Sequence, residues 1–267
     1  MAPPRHLALL PETQTETIPW PVPFADGIAV LRTLKGRPVA VLASGDPFHY
    51  GAGRAIARAF PGEWRAFPAP STFSLIASRL GWPLEDTLCL GLHAAPLARL
   101  RPYLAPKVRA IVTLRDGAAV TDLGAYLTDL GFGDSTLTVA EAVGGPHEQL
   151  TPLIANTITG DFSHPVCVAI DVNGQGPALP HTNGLPDGTF DTDGVMTKRA
   201  VRAVTLSALA PRPYEHLWDI GGGSGSIDIE WLLSHPTTHA TTIEPSADRI
   251  ALVRSPAAAL GRGRQRI

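Results

Sequence analysis

Three things are scarce in this chain, and each scarcity closes off a class of protein. Only two cysteines, Cys89 and Cys167, occur among 267 residues, each inside an apolar run (LCLGL and PVCVAI). That setting argues against a disulfide framework and against a cysteine-based metal site, and describes buried thiols acting as small hydrophobes. No metal site is read elsewhere. Charged residues are also few, at 17%, where about a quarter is usual. With 22 Lys and Arg against 24 Asp and Glu the net charge is −2, so no global basic field draws the chain to nucleic acid or to an anionic membrane. Long apolar runs are missing as well. No stretch approaches the roughly 18 residues of a membrane span, and the opening MAPPRHLALLPETQ has too short an apolar core for a signal peptide. The expected location is the cytoplasm.

What is present is a hydrophobic share of 44% together with 26 Gly and 26 Pro, a composition that suits a folded α/β chain built of short, often interrupted elements. At about 150 residues per domain, its length predicts two domains, or one large domain with an appendage. Apolar, β-branched runs at residues 38–43 (PVAVLA), 108–114 (VRAIVTL), 137–139 and 165–170 (PVCVAI) read as buried strands. Three- and four-residue apolar spacing predicts helices over 53–60, 71–80, 97–104 and 118–130, the last stopped by Gly131. Strands alternating with helices imply a mostly parallel sheet. Residues 171–193 (DVNGQGPALPHTNGLPDGTFDTD) have no periodicity and read as a linker, which places domains at 1–185 and 186–267. Beyond the linker the pattern predicts a helix at 196–210, a strand at 217–220, a helix at 227–233, a strand at 240–243, a helix at 246–260 and a short basic tail, GRGRQRI.

Asp219-Ile-Gly-Gly-Gly-Ser-Gly225 lies between such a strand and such a helix, where bare backbone lets a ligand approach closely. Gly221, Gly223 and Gly225 fit D-x-G-x-G-x-G, whereas the dinucleotide fingerprint would need Gly or Ala where Ser226 stands. Glu244 closes the next strand, a place from which a carboxylate can accept both hydroxyls of a ribose. An adenosyl ligand without phosphates fits the pair. The competing reading is a plain glycine-rich turn with a solvated Glu and with Asp219 as a cap.

On these residues, and on the preceding string DGVMTKRAVRAVTLSALAPRP, the second half resembles the class I S-adenosylmethionine-dependent methyltransferases, and among them the C15-methylating, decarboxylating units of precorrin synthesis. The family's D-G-x-x-T-K-x-x-x-R-x-x-x-L helix falls on Asp193, Gly194, Thr197, Lys198, Arg202 and Leu206. The resemblance implies S-adenosyl-L-methionine held by Asp219, Gly221, Gly223, Gly225 and Glu244. Thr197, Lys198 and Arg202, with Arg199, make a basic start to a helix suited to a substrate rich in carboxylates; a solvated helix face is the alternative.

In the first half, Ser44-Gly-Asp-Pro-Phe-His-Tyr-Gly51 follows the run at 38–43. Taken alone, Asp46 would be a turn-forming Asp and His49 and Tyr50 a surface pair. The succession SGDPFHYGAGR, PAPSTFSLIASRLGWPLED, GLHAAPLARLRPYL, EAVGGPHEQL resembles the tetrapyrrole methylases, the class III methyltransferases. That resemblance implies a two-lobed α/β unit with Gly45, Asp46 and Tyr50 lining a cleft, Ser71 and Thr72 near the methyl donor, and His93 at the substrate. The family's first strand has no counterpart ahead of residues 5–10, and the second sheet is only begun, so the chain reads as a fragment of an enzyme with two methylating sites. Expected partners are a tetrapyrrole substrate and a second copy of the chain. The reaction implied is methylation of a precorrin at C5 and C15 with loss of the C12 acetate carboxyl, in cobalamin synthesis. Two rivals stand beside it: a small-molecule class I methyltransferase carrying an α/β adaptor, and a noncatalytic binding remnant.

Overall fold

The computed structural model describes residues 1–261, and the chain forms two compact units, Met1–Leu84 and Glu85–Ile267. The basic tail read at the end of the sequence lies, past Gly261, outside the described residues.

In the first unit a single turn, α1 (Pro4–Leu7), precedes α2 (Phe24–Thr33), α3 (Gly53–Ala59) and α4 (Thr72–Leu80). Met1, Trp20 and Leu31 form its apolar centre. The strand expected at 38–43 is absent as a regular element. A strand needs a neighbour to complete its ladder, and here the neighbour is two residues long. The Met1 amino group donates to Ala40 O at 2.7 Å, and Leu42 N–H donates to Met1 O at 3.0 Å. On its other side Ala2 exchanges hydrogen bonds with Ile18 and Trp20. Residues 38–40 are correspondingly exposed rather than buried.

The second unit carries β1 (Thr87–Gly91), a 3-10 helix (Leu97–Tyr103), β2 (Arg109–Thr113), α5 (Ala118–Asp129), β3 (Thr136–Glu141), β4 (Gln149–Ile154) and β5 (Val166–Asp171). These strands form one sheet in the order β1-β2-β5-β3-β4. Only β1 and β2 pair in parallel; β2 with β5, β5 with β3, and β3 with β4 are antiparallel. The expectation of a mostly parallel sheet is therefore corrected. The link from β3 to β4 is too short for a crossover helix, which parallel neighbours require, and β5 inserts between β2 and β3. The burial of β5 on both faces, with five successive buried residues, follows from that central place. At the sheet edge β4 tolerates Pro152, opposite Thr138, because an edge strand can forgo one N–H. The segment 97–104 is a 3-10 rather than an α-helix, with Pro102 inside it removing a donor.

After residue 190 come α6 (Arg199–Leu209), β6 (His216–Ile220), α7 (Ser226–Ser234), β7 (His239–Ile243) and α8 (Ala247–Ala259), with β6 and β7 a parallel pair. The linker expected at 171–193 is not a loose tether. Leu185 and Phe190 are buried with Ile229, Ala257 and Leu260 in one cluster. No described helix is long and apolar enough to cross a membrane.

Candidate functional site

The strand tips of β6 and β7 carry Asp219 and Glu244, and the loop 221–225 runs between β6 and α7. Glu244 Oε2 accepts the Gly223 N–H at 3.0 Å, and its Oε1 accepts the Ser246 N–H at 3.0 Å. The carboxylate is thus aimed at the glycine loop with one lone pair on each oxygen still available. Gly223 sits at φ +56, and a Cβ added there would meet only Gly221 O at 3.9 Å; at Gly221 (φ +80) it would meet nothing within 4 Å. The loop needs left-handed backbone and leaves open space over these two glycines, so the residues fit an adenosyl group carrying a ribose diol. A phosphate fits poorly, because Asp219, Asp228 and Glu244 gather negative charge at the loop.

Asp228, on the first turn of α7, is fully buried and accepts a short hydrogen bond from the Thr242 hydroxyl of β7. Burial, foremost, and the Glu244 charge raise the Asp219 pKa, while its hydrogen bond with Asp228 opposes them. A raised folded-state pKa means that the folded chain holds the proton more tightly than the unfolded one. Asp219 therefore contributes stability that is fully present below the unfolded carboxyl pKa and lost as pH rises through the folded value. Melting temperature measured across that window should fall less steeply in Asp219→Asn than in the parent chain.

Arg202 does not reach a substrate, contrary to the sequence expectation. Its side chain is 0% exposed and all five of its N–H groups are taken. Nε donates to Glu230 Oε1 at 2.6 Å. Nη1 donates to Thr197 O at 2.6 Å and Asp187 Oδ1 at 3.2 Å, and Nη2 to Leu185 O and to the same Asp187 oxygen. The guanidinium lies over the Phe190 ring at 4.6 Å. Glu230 in turn accepts the Gly184 and Leu185 N–H groups. The pair pins residues 184–190 to α6 and α7. Sequence reading missed Glu230 altogether, since its place in SIDIEW is unmarked until the fold brings it to Arg202. Thr197, Lys198 and Arg199 remain exposed at the start of α6.

In the first unit the turn at 44–51 is held against the start of α4. Gly45 (φ +54) is backed onto Pro70, whose carbonyl would lie 2.8 Å from an added Cβ. Asp46 Oδ1 accepts the Phe48 N–H at 2.8 Å, the self-bonded turn of an Asp. Tyr50 takes φ 58, a left-handed conformation that a non-glycine residue seldom adopts and that often marks a functional turn. The Ser71 hydroxyl, expected beside the methyl donor, is engaged inside the protein. It accepts the Ser74 N–H as the cap of α4 at 3.2 Å and meets Ser74 Oγ at 3.0 Å and His49 Nδ1 at 3.1 Å. Thr72 follows it as the first residue of α4. In the second unit, His93 lies just past the end of β1, exposed, with Nδ1 at 3.1 Å from Thr113 Oγ1 at the end of β2.

Comparison with known proteins divides the chain in the same way as its two glycine turns. Residues 25–156 match the family of Tetrapyrrole (Corrin/Porphyrin) Methylases, and residues 188–267 match the Precorrin methyltransferase domain. A Sinorhizobium precorrin-6Y C(5,15)-methyltransferase (decarboxylating) is 47% identical over 93% of this chain and 62% of its own length. The Mycobacterium tuberculosis (H37Rv) protein of the same name is 35% identical over 96% and 65%. A Salmonella typhimurium cobalt-precorrin-6B C(15)-methyltransferase (decarboxylating) is 47% identical over 21% of this chain and 30% of its own. The chain thus spans less than two thirds of the longer relatives. The solved methyltransferase CobJ, 17% identical, superposes with a TM-score of 0.51 over 66% of this chain and 85% of its own, a likeness of fold.

Proposed function

We propose that the chain, which is similar along most of its length to the precorrin-6Y C(5,15)-methyltransferases, takes part in methylating a precorrin at C5 and C15, with decarboxylation of the C12 acetate, in cobalamin synthesis. S-adenosyl-L-methionine would be the methyl donor for both transfers. We assign residues 1–185 to the C5 reaction and 186–267 to the C15 reaction. The observation that carries the reading is the Glu244 carboxylate hydrogen-bonded to Gly223 across an open glycine loop, in the segment that matches the precorrin methyltransferase domain.

The donor, when bound, supplies an electrophilic methyl on a sulfonium. The chain's part is placement, which can lower a barrier by about 7–11 kcal/mol when reacting atoms are held at about 3–3.5 Å. Glu244 would take the ribose hydroxyls, and Gly221, Gly223 and Gly225 would let the adenosyl group lie on backbone. Asp219 would meet the amino-acid end. Lys198 and Arg199, with Thr197, would hold acetate and propionate arms through charged hydrogen bonds. In the first unit Gly45, Asp46, Tyr50 and Thr72 would frame a second donor position. For His93, in the second unit, we propose only a substrate-binding role. We also propose self-association and a cytoplasmic setting.

Calorimetric titration of the chain with S-adenosylhomocysteine tests the second site. Glu244→Ala should weaken that binding by about 1–3 kcal/mol, the loss of a charged hydrogen-bond pair, which is about 5- to 150-fold. Unchanged affinity would remove Glu244 from the site.

A further inference from the structure

His49 is left without a task by the site as drawn above, and its surroundings give it one. Nδ1 is fixed by the buried Ser71 hydroxyl at 3.1 Å, and the ring packs on Phe73 (4.6 Å between centroids) and Tyr50 (5.5 Å). The two hydroxyls restrict where protons can sit. Ser71 Oγ has one hydrogen and two lone pairs, and one lone pair already accepts the Ser74 N–H. Of its contacts with His49 and Ser74 Oγ, one must therefore be given and the other received. When Nδ1–H donates to Ser71 and Ser71 donates to Ser74, Nε2 is a bare lone pair; when both hydroxyls turn round, Nε2 carries the hydrogen. Among the described residues Nε2 has no protein partner and is not a buried atom. An imidazole whose far nitrogen is anchored and whose near nitrogen is open is arranged as a proton acceptor.

We infer that His49 Nε2 takes the proton released when the first site methylates its macrocycle, with Ser71 and Ser74 holding the ring in the Nδ1–H form. The inference rests on the proposed C5 reaction. A methine carbon that gains a methyl forms the new C–C bond with a π pair, while the C–S pair stays on sulfur. The carbon then bears both its original hydrogen and the methyl, and the conjugated ring has gained one positive charge. Transfer of that hydrogen as a proton to Nε2 returns the C–H pair to the ring, and His49 later releases the proton to water. The Asp46 carboxylate favours a cationic imidazole, while the arginines of α3 and α4 oppose one. Its own turn supplies Asp46 and Tyr50, α4 packs Ser71, Phe73 and Ser74 against it, and the charged residues of α4 and α3 are Arg79, Arg54 and Arg58. No described base other than Asp46 lies in that turn, and one Asp46 oxygen is held by Phe48.

The experiment combines product analysis with nitrogen NMR of the full chain labelled at histidine. In the parent chain the C5-methylated product should form, with a rate that falls toward acid pH as Nε2 gains a proton. In His49→Asn the rate should drop by about 100-fold or more, the usual range for losing a general base, and the acid limb should vanish while affinity for S-adenosylhomocysteine holds. The His49 signals should show Nδ1–H with a bare Nε2, and Ser71→Ala should let the two ring forms interchange. Absence of any C5-methylated product from the parent chain would overturn the assignment of the first site and this inference with it. Formation of that product at equal rate and with an equal pH profile in His49→Asn would overturn the role of His49 alone, as would an Nε2–H form in the parent chain.

Discussion

Arg202→Ala should be among the most destabilising single changes in the chain, lowering unfolding free energy by about 3–5 kcal/mol, as is usual when one member of a buried ion pair is removed. Glu230 would be left charged and nearly fully buried, still facing the Gly184 and Leu185 N–H groups but without its cation. Leu185 O and Thr197 O would lose their donor as well. Urea titration measures the loss. The double change Arg202→Met with Glu230→Leu separates two roles of the pair. Where only the charges matter, an apolar replacement of matching volume restores stability. Here the backbone of residues 184–185 would also be orphaned, so the double variant should stay well below the parent and should be cut faster by protease between residues 177 and 190. Full recovery would show that the segment is held by its apolar residues, Leu185 and Phe190, and not by the ion pair.

Gly225→Val should be nearly as severe, while Gly221→Ala should be mild for folding and costly for binding. Gly225 combines φ +65 with a wall: an added Cβ would lie 2.5 Å from Val253 Cγ1 and 3.0 Å from Cγ2. Left-handed backbone costs a side-chain-bearing residue about 1–2 kcal/mol, and overpacking a filled site adds about 1–3 kcal/mol. The first turn of α7 and the body of α8 would have to part. At Gly221 the strain is similar but the space is open, so the added methyl would stand where the adenosyl group is proposed to lie. Thermal melts of the two variants, with S-adenosylhomocysteine titrations beside them, should therefore rank them in opposite order. Equal loss of affinity and of stability in Gly221→Ala would place the ligand elsewhere.

The second half was legible because its signals are local. D-x-G-x-G-x-G, a capping Ser246 that accepts the Arg249 N–H, and Glu244 at the end of a β-branched run each act within a few residues, and β6, α7, β7 and α8 fall close to the expected spans. What escaped depended on distant partners. The run at 38–43 has the composition of a strand, yet the ladder it would join is two residues wide. β4 contains a proline and was not foreseen; its place at the edge admits it. The direction of β5 could not be read from PVCVAI, since a fully apolar run suits a central strand of either sense. Arg202 stood in a recognisable motif and still received the wrong role, because a basic residue on a helix start looks the same whether water or a buried Glu230 faces it. His49 was passed over as a surface residue for want of Ser71, which is 22 positions away.

The insertion of β5 between β2 and β3 sets a timetable for synthesis. As the chain leaves the ribosome, β1 with β2 and β3 with β4 can each zip together as they emerge, but the two ribbons share no rungs until the strand that joins them has been made. For that interval the apolar faces of both ribbons wait uncovered, and a translational pause shortly before Val166 would prolong the wait.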